Sequence, residues 1–251
     1  MTESRQQEIF FEIHDGLPRE GPGSNPATRR VLEMLPRRPK APLILDVGCG
    51  PGMQTLELAK RSGGRIVALD NHPPFLRDAA RRAAAAGLSG RIHPVRGTMA
   101  ALGFADGAFD LIWSEGAIYI LGFEAGLRQW RRYLKKDGFL VVSEITWLKS
   151  DVPEDLRRFW DAAYPAMKTA HGNLRVIAEC GYRCVGLYVL PEDAWWRDYY
   201  RPLERRLRGL LRKYKGDPEA VALLRTEQEE IDLYRKHSDC YGYVFYAMQP
   251  E

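Results

Sequence analysis

The sequence predicts an α/β fold, a doubly wound and mostly parallel sheet with helices on both faces. Three observations carry this. Between Leu43 and about Ser143, short apolar runs alternate with helical stretches, the spacing of parallel strands joined by crossover helices. The runs are continuously apolar, as befits strands covered on both faces. The first run also leads into a glycine-rich loop and then a helix, LILDVGCGPGMQTLELA at residues 43–59.

The elements follow in order. After a charged amphipathic start, EGPGSNPATRRVLEML reads as a glycine-proline turn and a helix. Ser24 is placed as N-cap, Pro26 suits the first turn, and Val31, Leu32 and Leu35 give an apolar face. PRRPKAP breaks that pattern. Strands are then expected at LILDV, RIVALD, RIHPV, FDLIW and FLVVSEI, with helices at MQTLELAKR, PPFLRDAARRAAAAG and FEAGLRQWRRYL. In the last hundred residues, YRCVGLYVL and YGYVFYAMQ are strand-like, separated by a long helical insertion. Leu203, Leu207, Leu210, Leu211 and Tyr214 form one apolar stripe of it, and Val221, Leu224, Ile231 and Tyr234 another.

Composition narrows the class. With 251 residues, 45% hydrophobic, and a net charge of +4, the chain can bury a sizeable core and is not a disordered sequence. No apolar run approaches the length of a membrane span, and the charged start lacks a signal-peptide segment, so a cytoplasmic protein is expected. Its four cysteines and five histidines form no zinc spacing, and no metal is expected. A basic stretch, Arg197–Lys215, is followed by an acidic one. Such adjacent blocks fit the outer faces of paired helices better than a nucleic-acid footprint.

The chemistry lies at the strand ends. Gly48, Cys49, Gly50, Pro51 and Gly52 make a tight loop after Asp46. Glycine lets the backbone turn with positive φ and lets a ligand touch it, and the helix that follows presents free N–H groups. The second strand ends in Asp70, whose carboxylate can accept hydrogen bonds from a ribose diol. The loop reads Gly-x-Gly-x-Gly, not the Gly-x-Gly-x-x-Gly of the dinucleotide fingerprint.

On these residues the sequence resembles the class I S-adenosylmethionine-dependent methyltransferases. The resemblance spans roughly Gly21–Gln249 and is most specific over Leu43–Trp147. It is nearest to the small-molecule type related to ubiquinone/menaquinone biosynthesis methyltransferases and to bacterial proteins with a WSEGAIY segment. It implies a seven-stranded Rossmann-like sheet with an antiparallel last strand. It also implies a division into an N-terminal helical gate at 1–36 and a methyltransferase domain at 37–251, with a helical lid at about 191–239. The cofactor implied is S-adenosylmethionine, leaving as S-adenosylhomocysteine. Carried over by motif, Asp46, Gly48, Cys49, Gly50, Gly52 and Gln54 would hold its methionyl part, with Asp70, Asn71 and His72 around the ribose and adenine. Gly97, Thr98 and Met99 would meet the adenine, Thr98 standing where the family often has an acid. Ser114 and Glu115 would lie beneath the sulfonium.

In-line methyl transfer rests mainly on alignment, and a base is needed only where the acceptor must lose a proton. Glu115, Tyr119 and His171 are the residues read as catalytic, and Tyr119, Trp147, Trp195 and Tyr199 as substrate-binding. SEGAIY lacks the Asn/Asp-Pro-Pro-Tyr pattern of many nucleic-acid amino methyltransferases, so a small-molecule acceptor is expected and nucleic acid is not. Two alternatives stay open: an RNA or protein methyltransferase using the basic helix 197–215, and a non-catalytic cofactor-binding protein on the same fold. EGPGS and the lid are expected to close over the cofactor from two sides, so that deleting residues 1–23 weakens its binding at least tenfold.

Overall fold

The computed structural model describes residues 3–37 and 39–251; residues 1 and 2 of the expected gate, and Arg38 of the proline-rich break, lie outside it. The strands are β1 (Leu43–Val47), β2 (Arg65–Asp70), β3 (Ile92–Arg96), β4 (Phe109–Ser114), β5 (Leu134–Trp147), the two-residue β6 (Lys168–Thr169), β7 (Tyr182–Val189) and β8 (Tyr241–Pro250). They pair in the order β3-β2-β1-β4-β5-β8-β7, with β6 beside β5. All pairs are parallel except those of β8, which runs antiparallel to β5 and β7. The order reverses between β1 and β4, so the cleft in which ligands of such sheets sit opens beyond the carboxyl ends of β1, β2 and β4.

Helices α1 (Glu3–His14) and α2 (Asn25–Met34) precede the sheet, and α3 (Met53–Ser62), α4 (Pro73–Ala85) and α5 (Phe123–Trp130) cross between its strands. Then come α6 (Glu154–Ala163) and α7 (Ala170–Glu179), and the lid: α8 (Asp193–Trp195), a π turn over Trp196–Tyr200, α9 (Arg201–Lys213) and α10 (Pro218–His237). Ser24 caps α2, its Oγ accepting the Ala27 N–H at 3.2 Å, with Pro26 in the first turn. One apolar cluster joins α1, α2, α3, α4 and the lid to one sheet face; a second joins α5 and α7 to the other. The two sheet faces thus explain the unbroken apolar runs of β1 and β4. Among the described residues no helix is long and apolar enough to cross a membrane.

Helix α1 and the segment after it form a strap along the cleft. Ile9, Ile13 and Leu17 are buried beneath it. Arg206 Nε donates to the Glu12 carbonyl at 2.6 Å, and Lys213 Nζ and Tyr214 Oη meet the Glu12 carboxylate at 2.5 Å each. From the sheet side, Arg82 donates to the carbonyls of Pro18 and Leu17 at 2.9 and 3.3 Å. The strap therefore touches both α4 and the lid.

Candidate functional site

A cavity of about 310 Å³ occupies the expected cleft. Its floor is the glycine loop. Gly48, Gly50 and Gly52 all have positive φ (71°, 52° and 87°). At Gly48 the approach is closest: a Cβ there would stand 2.5 Å from Ala117 Cβ. The Gly48 and Cys49 N–H groups both donate to the Leu69 carbonyl at 2.9 and 3.0 Å, tying the loop to β2. Gln54 Nε2 donates to the Cys49 carbonyl at 3.0 Å. Asp46 lies fully buried below, its Oδ2 accepting from Thr55 Oγ1 at 2.5 Å while Oδ1 has no hydrogen-bond partner among the described residues.

Asp70 organises the next wall. Its two oxygens accept the Gly50 and His72 N–H groups, each at 2.9 Å, and both retain acceptor capacity for a diol. Asn71, Gly97, Thr98 and Met99 complete that side. His72 turns away: its ring stacks on Phe11 at 3.7 Å and packs edge-on to Phe75, pinning α1 to α4. Phe11 itself lines the cavity.

The strap supplies the opposite wall with Arg19, Glu20, Gly21 and Pro22. Arg19 and Glu115 form a salt bridge at 3.2 Å with both side chains 4% exposed. Arg19 Nη2 also donates to Asn25 Oδ1 at 2.7 Å, but its Nε is buried and unpartnered. Glu115 Oε1 accepts from Thr28 Oγ1 at 2.6 Å and from Trp113 Nε1 at 2.9 Å. With three donors on it, Glu115 fastens the strap to β4. Glu20 Oε2 is likewise buried without a partner. Burial first, then the neighbouring Asp70, pushes the Glu20 carboxyl up to about 9; burial pushes Asp46 up to about 7.

These two shifts have one sign. A carboxyl raised in the folded state favours its protonated form, a stabilisation complete below the unfolded value and lost as pH climbs through the folded one. The ligand-free protein is therefore expected to melt at falling temperature from about pH 4 to 9. Asp46→Asn and Glu20→Gln should flatten that slope in a calorimetric pH series; an unchanged slope would refute the assignment.

Of the residues expected at the site, the cavity walls hold Gly48, Cys49, Gly50, Gln54, Asp70, Asn71, Gly97, Thr98, Met99, Glu115 and Tyr119. Others do not line it. Ser114 Oγ donates to the Val47 carbonyl at 3.0 Å, clasping β4 to β1. Trp195 is 1% exposed and stacked on Tyr234 at 4.1 Å inside the lid. Trp147 is buried against Tyr241, and His171 sits exposed in the first turn of α7. Tyr199 faces α1, where its Oη meets His14 Nε2 at 3.4 Å. Large aromatics here pack the lid before they touch a ligand. Sequence reasoning missed Arg19, Glu20, Phe10 and Phe11, whose partners lie far along the chain; the nearest signal was the EGPGS turn.

A parallel sheet with a reversed last strand carries here a glycine loop facing a strand-end acid, the fold and loop arrangement of the class I S-adenosylmethionine-dependent methyltransferases. Residues 44–138 match the methyltransferase domain family. The chain is similar to a demethylmenaquinone methyltransferase of Mycolicibacterium gilvum, 35% identical over 57% of this chain and 58% of that one. The matched segments span at most 60% of the length of the curated relatives named first among such matches. In fold it is similar to YjhP of E. coli, with a TM-score of 0.82 at 22% identity, covering 97% of this chain and 100% of that one. It is similar too to a methyltransferase of Geobacter sulfurreducens solved with S-adenosylhomocysteine, with a TM-score of 0.80 at 22% identity over 97% and 98% of the two chains.

Proposed function

We propose that the protein is a methyltransferase that binds S-adenosylmethionine in this cavity and methylates a small molecule. The observation that carries the reading is the pairing of orphaned polar atoms with the glycine loop. Arg19 Nε is a buried donor and Glu20 Oε2 a buried acceptor, and both belong to side chains of the cavity wall. A zwitterionic methionyl group offers the complementary carboxylate and ammonium, and Asp70 offers its spare lone pairs to a ribose diol. The cavity volume suits a nucleoside-sized ligand. When bound, S-adenosylmethionine supplies a methyl group already activated by its sulfonium.

The protein's own residues then act by position. The loop backbone and Arg19 fix the amino-acid end; Asp70, Asn71, Thr98 and Met99 flank the ribose and adenine; the strap excludes water from the buried side. Gly116 and Tyr119 stand at the open end, where an acceptor would approach for in-line transfer. The small-molecule reading is favoured over RNA because Arg206 and Lys213 of the basic stretch are already engaged by Asp15 and Glu12 of the N-terminal strap. The gate is part of the same proposal, since residues 19–22 form a cavity wall.

Calorimetry with S-adenosylhomocysteine tests the reading. Asp70→Ala removes the ribose acceptor and two loop hydrogen bonds, so affinity should fall at least tenfold, about 1.4 kcal/mol. Undiminished binding by the variant would overturn the assignment.

A further inference from the structure

Next to Tyr119 stand acidic and aromatic side chains that the cofactor reading does not use. Tyr119 lines the cavity and is 41% exposed. It stands within electrostatic range of Glu230, Glu227 and Glu144. Tyr199 of the lid lies within electrostatic range of the same Glu227 and Glu230. Tyr243 of β8 places its hydroxyl 3.8 Å from where a Cβ on Gly116 would stand. Aromatic and acidic side chains from four elements thus gather near Tyr119.

The carboxylates are unusual. Glu227 falls on the inward stripe of α10, between Leu224 and Ile231, where an apolar residue is expected. Glu230 is bound by Tyr200 Oη at 2.8 Å. Among the described residues no cation acts on either glutamate. Independently, Glu144 at the carboxyl end of β5 is 2% exposed. Its Oε1 accepts from Tyr164 Oη at 2.6 Å, and its Oε2 is buried with no partner among the described residues. The Tyr164 ring in turn lies edge-on to Tyr119, 6.1 Å between centroids. Around Glu144 stand Tyr164 after α6, Tyr119 before α5, Tyr243 of β8 and one cation, Lys168 of β6.

Half-buried carboxylates without counter-ions attract a cation, and tyrosine faces bind one further. An anionic acceptor would be repelled. We propose that the methyl acceptor is an amine on an apolar body, drawn in as its ammonium ion beside Tyr119 and Tyr243 by Glu227 and Glu230, and that Glu144 takes its proton. This rests on the methyltransferase reading above. The step balances: the ammonium gives one proton to Glu144 Oε2, and the freed nitrogen lone pair forms the N–C bond. The S–CH₃ bond breaks with its electron pair left on sulfur. The products are a methylammonium ion, neutral S-adenosylhomocysteine and a protonated Glu144. The apolar body fits the exposed Ile120 and Phe10 at the cavity mouth. Burial, offset in part by Tyr164 and Lys168, pushes Glu144 up to about 7, so transfer should rise with pH through that value.

The probes are 2-phenylethylamine and 3-phenylpropionate, titrated into the wild-type protein saturated with S-adenosylhomocysteine and then incubated with methyl-labelled S-adenosylmethionine. The amine should bind at least tenfold more tightly than the acid and alone accept label. Glu144→Gln should lower kcat about 100-fold, the scale of a lost general base, and remove the rise with pH, while Glu227→Gln weakens amine binding with S-adenosylhomocysteine binding intact. Equal binding of amine and acid, no binding of the amine, or no transfer to it would overturn the proposal. So would an unchanged pH profile in a Glu144→Gln protein that melts normally. Failure to bind S-adenosylhomocysteine at all would instead overturn the methyltransferase reading.

Discussion

Replacing Gly48 by alanine is expected to abolish cofactor binding and to destabilise the fold. The residue sits at φ 71°, a left-handed conformation that costs an L-residue about 1–2 kcal/mol. The added Cβ would also lie 2.5 Å from Ala117 Cβ. Neither partner is the tip of a flexible chain, so backbone must move. The movement falls on the loop whose Gly48 and Cys49 N–H groups hold the Leu69 carbonyl and whose Gly50 N–H holds Asp70. Floor and ribose wall are displaced together. The expected result is a lower melting temperature and more than 100-fold weaker binding of S-adenosylhomocysteine, about 2.8 kcal/mol or more. An alanine variant that binds as the wild type does would show that the loop is not the cofactor floor.

Arg19→Ala should have the second large effect, and it acts on two levels. In the fold, it leaves Glu115 buried without its counter-charge; breaking a buried pair from one side costs about 3–5 kcal/mol. Thr28 and Trp113 still donate to Glu115, which holds the loss toward the lower end. In the site, it removes a buried guanidinium nitrogen on the cavity wall that has no partner among the described residues. Arg19→Lys separates the levels. It keeps the charge beside Glu115 but lacks the planar fork, so it should restore most of the stability and little of the binding. Deleting residues 1–23 extends the same argument. It removes the strap wall together with Ile9, Ile13 and Leu17, each worth ~1.5–3 kcal/mol when fully buried, so at least tenfold weaker binding should come with a lower melting temperature. Thermal melts and calorimetry of the three proteins check both levels; a truncated chain that binds as tightly as the full one would refute the gate.

How far the sequence could be read divides along the length scale of the interactions. The strands were legible because burial on both faces leaves an unbroken apolar signature, and LILDV and RIVALD coincide with β1 and β2. The glycine loop and Asp70 were legible because their geometry is local: a tight turn, a helix start and a strand-end acid within 28 residues of chain. Arg19 was not, since its partner Glu115 is 96 residues away. Nor could sequence position sort the aromatics. Trp195 and Tyr199 are four residues apart on one helical turn, yet Trp195 stacks inside the lid while Tyr199 reaches His14 at its inner edge. Glu144 looks like an ordinary strand-end glutamate until its burial and its unpartnered Oε2 mark it.

The most direct test of the account is a crystal structure with S-adenosylhomocysteine. The ligand should lie between the Gly48–Gly52 loop and residues 19–22, with its ribose diol on Asp70, its carboxylate at Arg19 Nε and its sulfur open toward Tyr119. Density for the ligand elsewhere, or a cavity that stays empty at saturating concentration, would contradict it.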